Sequence, residues 1–162
     1  PFKGRSPAMK LLIGGWNLNS IVCYNSGRPF TVGSGVDNAR TGAGGQRADI
    51  ISDPYFSGDR SHNDMINEYL KRAAFVPNAV GTYGTLGRNT YIGPGFANVD
   101  LGIVKNFTVK ERFRTQFRFE AFNALNHANF SNPTASLNSG NNMRITSAGE
   151  PRILQLALRL AF

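Results

Sequence analysis

The sequence predicts an all-β chain: an antiparallel up-and-down meander that forms part of a transmembrane β-barrel, with a short helix in a long external loop. Three observations carry that prediction. Segments near the middle and at the end alternate apolar and polar residues, and the last does so over about the length a tilted strand needs to cross a bilayer. Short and long connections alternate along the chain, as they do in membrane barrels. No apolar run reaches the roughly 18 residues that a membrane helix requires, so helical crossing is excluded while crossing by strands is not.

The last segment shows the alternation most cleanly. Leu154, Leu156, Leu158, Leu160 and Phe162 share one face of a strand placed at 151–162. Ile153, Gln155, Ala157, Arg159 and Ala161 share the other. A period of two, held this long, places one wholly apolar face against lipid. Within a strand at 112–126, Phe113, Thr115, Phe117, Phe119 and Ala121 alternate with Arg114, Gln116, Arg118 and Glu120. A helix would mix these two sets, so a strand accounts for them better. The expectation is that Phe113, Phe117, Phe119 and the four leucines, with Phe162, face lipid. Arg114, Gln116, Arg118, Glu120 and Arg159 face the lumen. The reverse arrangement would cost about 2–4 kcal/mol for each Arg at the bilayer midplane.

Three further strands are expected. In 95–108, Ala97, Val99, Leu101, Ile103 and Phe107 share a face, with Lys105 as the exception. In 16–32, Trp16, Leu18, Val22 and Tyr24 oppose Asn17, Asn19, Ile21 and Cys23, and the two rings stand where an aromatic girdle would place them. Residues 8–13 are apolar and read as the end of an earlier strand. The connections are tight at Ile13-Gly14-Gly15 and at Thr108 to Arg112. External loops are expected at 33–94 and 127–150, rich in Gly, Asn, Ser and Pro. In the first, Ser61-His62-Asn63-Asp64 resembles a capping box. Met65, Ile66, Tyr69, Leu70 and Ala73 then recur at helical spacing, which predicts a helix of about three turns over 62–74.

Composition narrows the function. Charged residues make up 17% and hydrophobic ones 41%, low in charge for a soluble domain, where about a quarter is usual. The net charge is +8, but the basic residues are scattered rather than gathered into a nucleic-acid face. Cys23 alone makes no internal disulfide. His62 and His127 are far apart in sequence and lack clustered ligands, so no metal or other cofactor is expected. No G-x-S-x-G elbow occurs, and Gly42-Ala43-Gly44-Gly45 is not followed by the Lys-Ser/Thr of a phosphate loop, so no enzyme is expected. Tyr55, Phe56, Tyr69, Tyr83 and Tyr91 are candidates to stack on a sugar or aromatic ligand, and packing of the loop on itself is the simpler reading.

A family resemblance runs along nearly all of the chain. It is carried by Gly14-Gly15-Trp16, Ser26-Gly27-Arg28-Pro29-Phe30, Ala74-Phe75-Val76-Pro77, Gly81-Thr82-Tyr83-Gly84, Gly87-Arg88-Asn89, Gly93-Pro94-Gly95-Phe96-Ala97-Asn98-Val99-Asp100, Glu120-Ala121-Phe122-Asn123, Asn126-His127 and the terminal Phe162. In these the chain resembles the C-terminal end of TonB-dependent outer-membrane receptors, in particular the Oar-like group with a carboxypeptidase-regulatory-like domain. The resemblance implies a plugged barrel of about 22 strands that takes up a bulky ligand. It implies location in the bacterial outer membrane. The implied partners are the rest of the barrel and its plug, outer-membrane lipid, the TonB system acting through the plug, and the barrel-assembly machinery acting through the Phe162 strand. No nucleic acid is implied. The chain opens on Pro1 without an initiator Met or a signal peptide, and about five strands cannot close a barrel whose smallest form has about eight. The expectation is therefore a C-terminal fragment. The alternative is a soluble, secreted, basic β-sandwich that binds carbohydrate or nucleic acid.

Overall fold

The computed structural model describes residues 12–109 and 113–161. Its long strands are β1 (Trp16–Asn25), β6 (Phe96–Val109), β7 (Phe113–Phe122) and β8 (Ile153–Ala161). They form one four-stranded sheet in the order β1-β6-β7-β8. Between β1 and β6 lie the short strands β2 (Pro29–Phe30), β3 (Asp49–Ile50), β4 (Phe75–Val76) and β5 (Tyr91–Ile92), with helix α1 at His62–Asn67. The fold is all-β and antiparallel, with very little helix. The chain divides into two compact units: residues 1–24, 97–128 and 150–162 in one, and 25–96 and 129–149 in the other.

In the first unit the alternating residues build the large sheet. β6 pairs antiparallel with β7 from Leu101↔Ala121 to Val109↔Phe113, and β7 pairs antiparallel with β8 from Arg114↔Ala161 to Phe122↔Ile153. β1 and β8 are its two outer strands, and every residue of both is exposed. A sandwich would bury one face of such strands under a second sheet. Among the described residues nothing covers them.

The second unit has its own small core of Phe30, Val32, Ala48, Leu70, Ala74, Phe75, Leu86, Tyr91 and Met143. β2 pairs with β5, and β3 with β4. The 129–149 segment is tied in through its backbone: Tyr69 N–H donates to the Met143 carbonyl at 2.8 Å and Ile145 N–H to that of Ile66 at 2.9 Å. The two expected loops, 33–94 and 127–150, are thus largely one folded body.

Several boundaries differ from the sequence reading. Residues 12 and 13 are helical rather than the end of a strand at 8–13, and 8–11 lie outside the described residues. The strand expected over 16–32 stops at Asn25, because Gly27 adopts φ 109, which no continuing strand tolerates. Pro29 and Phe30 belong to another sheet. The strand expected over 112–126 stops at Phe122, where Asn123 turns to φ 48. The helix expected over 62–74 is six residues long, followed by a separate 3₁₀ turn at Arg72–Ala74. The turn at 110–112 and Phe162 lie outside the described residues.

Candidate functional site

Register decides which side chains share a face of the large sheet. On one face, Leu101, Ala121 and Leu154 align across three strands, then Ile103, Phe119 and Leu156, then Lys105, Phe117 and Leu158. On the other, Gly102, Glu120 and Gln155 align, then Val104, Arg118 and Ala157, then Asn106, Gln116 and Arg159. The structure thus gathers Arg114, Gln116, Arg118, Glu120 and Arg159 on one polar face. Phe117, Phe119, Leu154, Leu156, Leu158 and Leu160 lie together on the opposite one. Phe113 pairs with Val109 at the turn end of the sheet.

The polar face holds part of itself together. Arg118 reaches Glu120 at 2.7 Å, and the Gln116 amide donates to Asn106 Oδ1 at 2.9 Å. The ion pair is half exposed, which limits its worth to at most about 1 kcal/mol. Arg114 and Arg159 line a shallow depression at the turn end beside Asn106 and Gln116.

Lys105 sits on the apolar face, yet it is buried at 2% exposure. Its ammonium donates to the carbonyl of Leu12 at 3.1 Å and to that of Gly14. It also lies over the rings of Trp16 and Phe107, at 4.7 and 5.2 Å from their centroids. A cation on this face is tolerable because carbonyl oxygens and aromatic faces replace its water.

Sequence reasoning missed a polar clasp where β7 ends. The Asn123 amide donates to the carbonyls of His127 and Glu150 at 3.0 and 3.1 Å. Its Oδ1 accepts from His127 N–H at 3.0 Å, and its own N–H donates to Asp100 at 2.9 Å. Asn126 Oδ1 accepts from Arg152 N–H at 3.1 Å. Both asparagines are left-handed, at φ 48 and 52, a conformation Asn adopts more readily than most residues. The available signal was two Asn spaced three apart, directly after an alternating strand.

In the loop unit, two of the five candidate stacking rings, Tyr69 and Tyr91, pack inward, while Tyr55 stays exposed. Tyr91 is buried, and Phe30, Phe75 and Tyr55 lie 5.6–6.1 Å from it by ring centroids. Tyr69 meets Phe30 edge-on at 6.3 Å, and its hydroxyl donates to the Ile92 carbonyl. Burial, and then the neighbouring Tyr55, raises the Tyr69 and Tyr91 hydroxyls above the ordinary tyrosine pKa. Phe56 carries the Arg60 guanidinium 3.8 Å from its centroid. Tyr83 stays exposed. At Asp37, burial pushes the carboxyl up, but hydrogen bonds from Gly42, from Thr41 backbone and hydroxyl, and from Gln46 outweigh it and lower its pKa. His62 opens α1, and His127 serves through its backbone N–H. Among the described residues, no three His, Cys, Asp or Glu side chains converge on one point.

A family model described as "Outer membrane beta barrel domain" matches residues 1–155. Searches of curated proteins and of solved structures gave no match to the chain.

Proposed function

This chain belongs to the outer membrane beta barrel domain family, which places it in the bacterial outer membrane, and we propose that it supplies the C-terminal strands of a TonB-dependent receptor that takes up a bulky ligand. The observation that carries the reading is the two-faced sheet. Its apolar face spans β6, β7 and β8 in register, and the opposite face carries three arginines and one glutamate. Such a sheet has one stable placement in a bilayer, with leucines and phenylalanines toward lipid and arginines toward water.

Strand count supports a larger assembly. The four long strands among the described residues are too few to close a membrane barrel, which takes about eight at the least, so in this reading further strands complete it. β1 and β8 offer the edges for that closure. In this reading the barrel lumen holds a plug that contacts TonB, and the assembly machinery reads the last strand. The motifs from Gly14 to Phe162 that resemble Oar-like receptors support the assignment to this group. The chain's part is to form wall and external surface, not to catalyse a reaction.

The test is the gene upstream of Pro1 and the behaviour of its product. A signal peptide, a plug domain and a TonB-contacting segment are expected there, and the full-length protein should be captured by the periplasmic domain of TonB. A gene without a plug, or a full-length product that TonB does not retain, would overturn the receptor assignment while leaving the barrel in place.

A further inference from the structure

The folded loop unit contains a crevice of roughly 720 Å³, within the size range of small-ligand sites. Two short pieces of paired backbone frame it. On one side, Gly93 N–H donates to the Arg28 carbonyl at 2.9 Å, next to the β2–β5 pairing. On the other, Ser131 N–H donates to the Ser147 carbonyl at 3.0 Å and Gly149 N–H to that of Asn129 at 2.7 Å. Glycines let these pieces approach. A Cβ on Gly27 would collide with the Gly93 carbonyl, and one on Gly93 would collide with the Asn132 amide. Two hydroxyls add to this frame: Ser131 Oγ donates to the Ser147 carbonyl at 2.9 Å and accepts from Ser147 Oγ at 2.8 Å, and other side chains line the space.

Those side chains are of three chemical kinds. Asn25 and Asn132 supply amide groups, which both donate and accept. Phe96 and Phe130 supply apolar ring surface. Arg28 is exposed and makes no side-chain hydrogen bond or ion pair among the described residues. Amides with rings suit a molecule that has hydroxyls around its edge and C–H groups on its faces. An unpaired guanidinium adds a preference for one carboxylate, which it binds in a bidentate fork.

We propose that this crevice binds an acidic saccharide, with Arg28 on the sugar carboxylate, Asn25 and Asn132 on its hydroxyls, and Phe96 and Phe130 against its ring. The site lies within the loop unit, so binding stands apart from TonB coupling. In the uptake reading it is where the ligand is first held.

The test is calorimetric titration of the protein, purified in mild detergent, with trigalacturonate, maltotriose and inorganic phosphate. Trigalacturonate should bind at least about tenfold more tightly than either of the others, the span of one charge-assisted hydrogen bond. Arg28→Ala should bring trigalacturonate down to the maltotriose level, and Arg28→Lys should fall between, because lysine keeps the charge and loses the fork. Near-ultraviolet circular dichroism of the Tyr55–Tyr91 cluster reports that each variant remains folded. Equal affinity for trigalacturonate and maltotriose, an unaffected folded Arg28→Ala, or phosphate binding as tightly as trigalacturonate would each overturn the proposal. TonB capture of the full-length protein is read separately, so the two conclusions fail independently.

Discussion

At the scale of single residues, two side chains decide more than their number suggests. Asn123 closes the end of β7 by joining the backbone of His127 and Glu150, which opens and closes the long 124–149 excursion. Removing its amide takes the donor from two part-buried carbonyls, at about 0.5–1.5 kcal/mol. The position also requires φ 48, which costs most residues about 1–2 kcal/mol and glycine almost nothing. Two effects therefore separate by substitution. Asn123→Ala suffers both and Asn123→Gly only the first, so Gly should unfold at higher urea than Ala and lower than the native residue. An Ala variant as stable as the Gly variant would show that the backbone term is negligible here. Lys105 is the second case. Lys105→Met keeps the volume but removes the donor to the Leu12 and Gly14 carbonyls and the cation over Trp16. It should lower stability by about 1–3 kcal/mol in urea unfolding from detergent, even though it makes the apolar face more apolar. A stabilised variant would mean that desolvating the ammonium outweighs its partners.

At the scale of elements, α1 shows how a sequence pattern can be partly right about burial and wrong about backbone. Of Met65, Ile66, Tyr69, Leu70 and Ala73, expected at helical spacing, Leu70 is buried in the loop core and Tyr69 packs against it, whereas Ala73 is exposed and its neighbour Ala74 is buried instead. The helix nevertheless ends at Asn67, and Glu68 is extended at φ −152 and ψ 95. Its terminal carbonyls are satisfied elsewhere: the Arg60 guanidinium donates to those of Asp64, Glu68 and Tyr69 at 2.7–3.3 Å. Glu68 then accepts from Arg72 N–H at 2.7 Å and starts the 3₁₀ turn. Nothing in a periodicity count foresees an arginine eight residues upstream of Glu68 taking over a helix end. β7 and β8 were legible for the opposite reason, since alternation along a strand is set by the pleat and needs no distant partner. The crevice at Arg28 was not legible, because its walls come from segments about 100 residues apart and meet only in the fold. The start of α1, by contrast, followed the sequence signal: Ser61 Oγ accepts from Asp64 N–H, and Asp64 Oδ2 accepts from Ser61 N–H. The Ser61 hydroxyl first, then its N–H and Arg60, hold the Asp64 carboxyl below its ordinary 3.8. A carboxyl lowered in the fold contributes its full stabilisation above 3.8 and loses it as pH falls through the lower folded value. Amide exchange at Met65 and Ile66 should therefore be steady, after correction for intrinsic rates, from neutral pH to about 4 and accelerate below it. In Asp64→Asn that acid step should vanish. An unchanged step in Asp64→Asn would assign the acid response to another carboxyl.

At the scale of the whole molecule, the sheet and the bilayer have to agree on one orientation. Lipid contact selects against charge by face and depth, so neighbouring residues on one strand respond oppositely to the same kind of change. Leu158 and Arg159 are adjacent on β8, paired with Phe117 and Gln116. Leu158→Arg sets a guanidinium beside Phe117 on the apolar face, where nothing in the register offers it a carboxylate. Up to about 2–4 kcal/mol is expected from this change, the larger figure applying near the bilayer midplane. Arg159→Leu removes a charge from the polar face beside Gln116 and breaks no ion pair among the described residues. Its effect should stay within about 0.5 kcal/mol, as for most surface changes. Refolding the full-length protein into vesicles and following its heat-modifiable gel mobility gives the fraction inserted for each variant. The expected order is Arg159→Leu close to native and Leu158→Arg well below it, with Leu156→Arg on the same face behaving like Leu158→Arg. The contrast depends on the bilayer: in denaturant-free detergent, whose apolar layer adapts to a buried charge, the variants should differ less than in vesicles. A reversed order, with Arg159→Leu the poorly inserting variant, would mean that the leucine face looks inward and that the sheet is oriented the other way about.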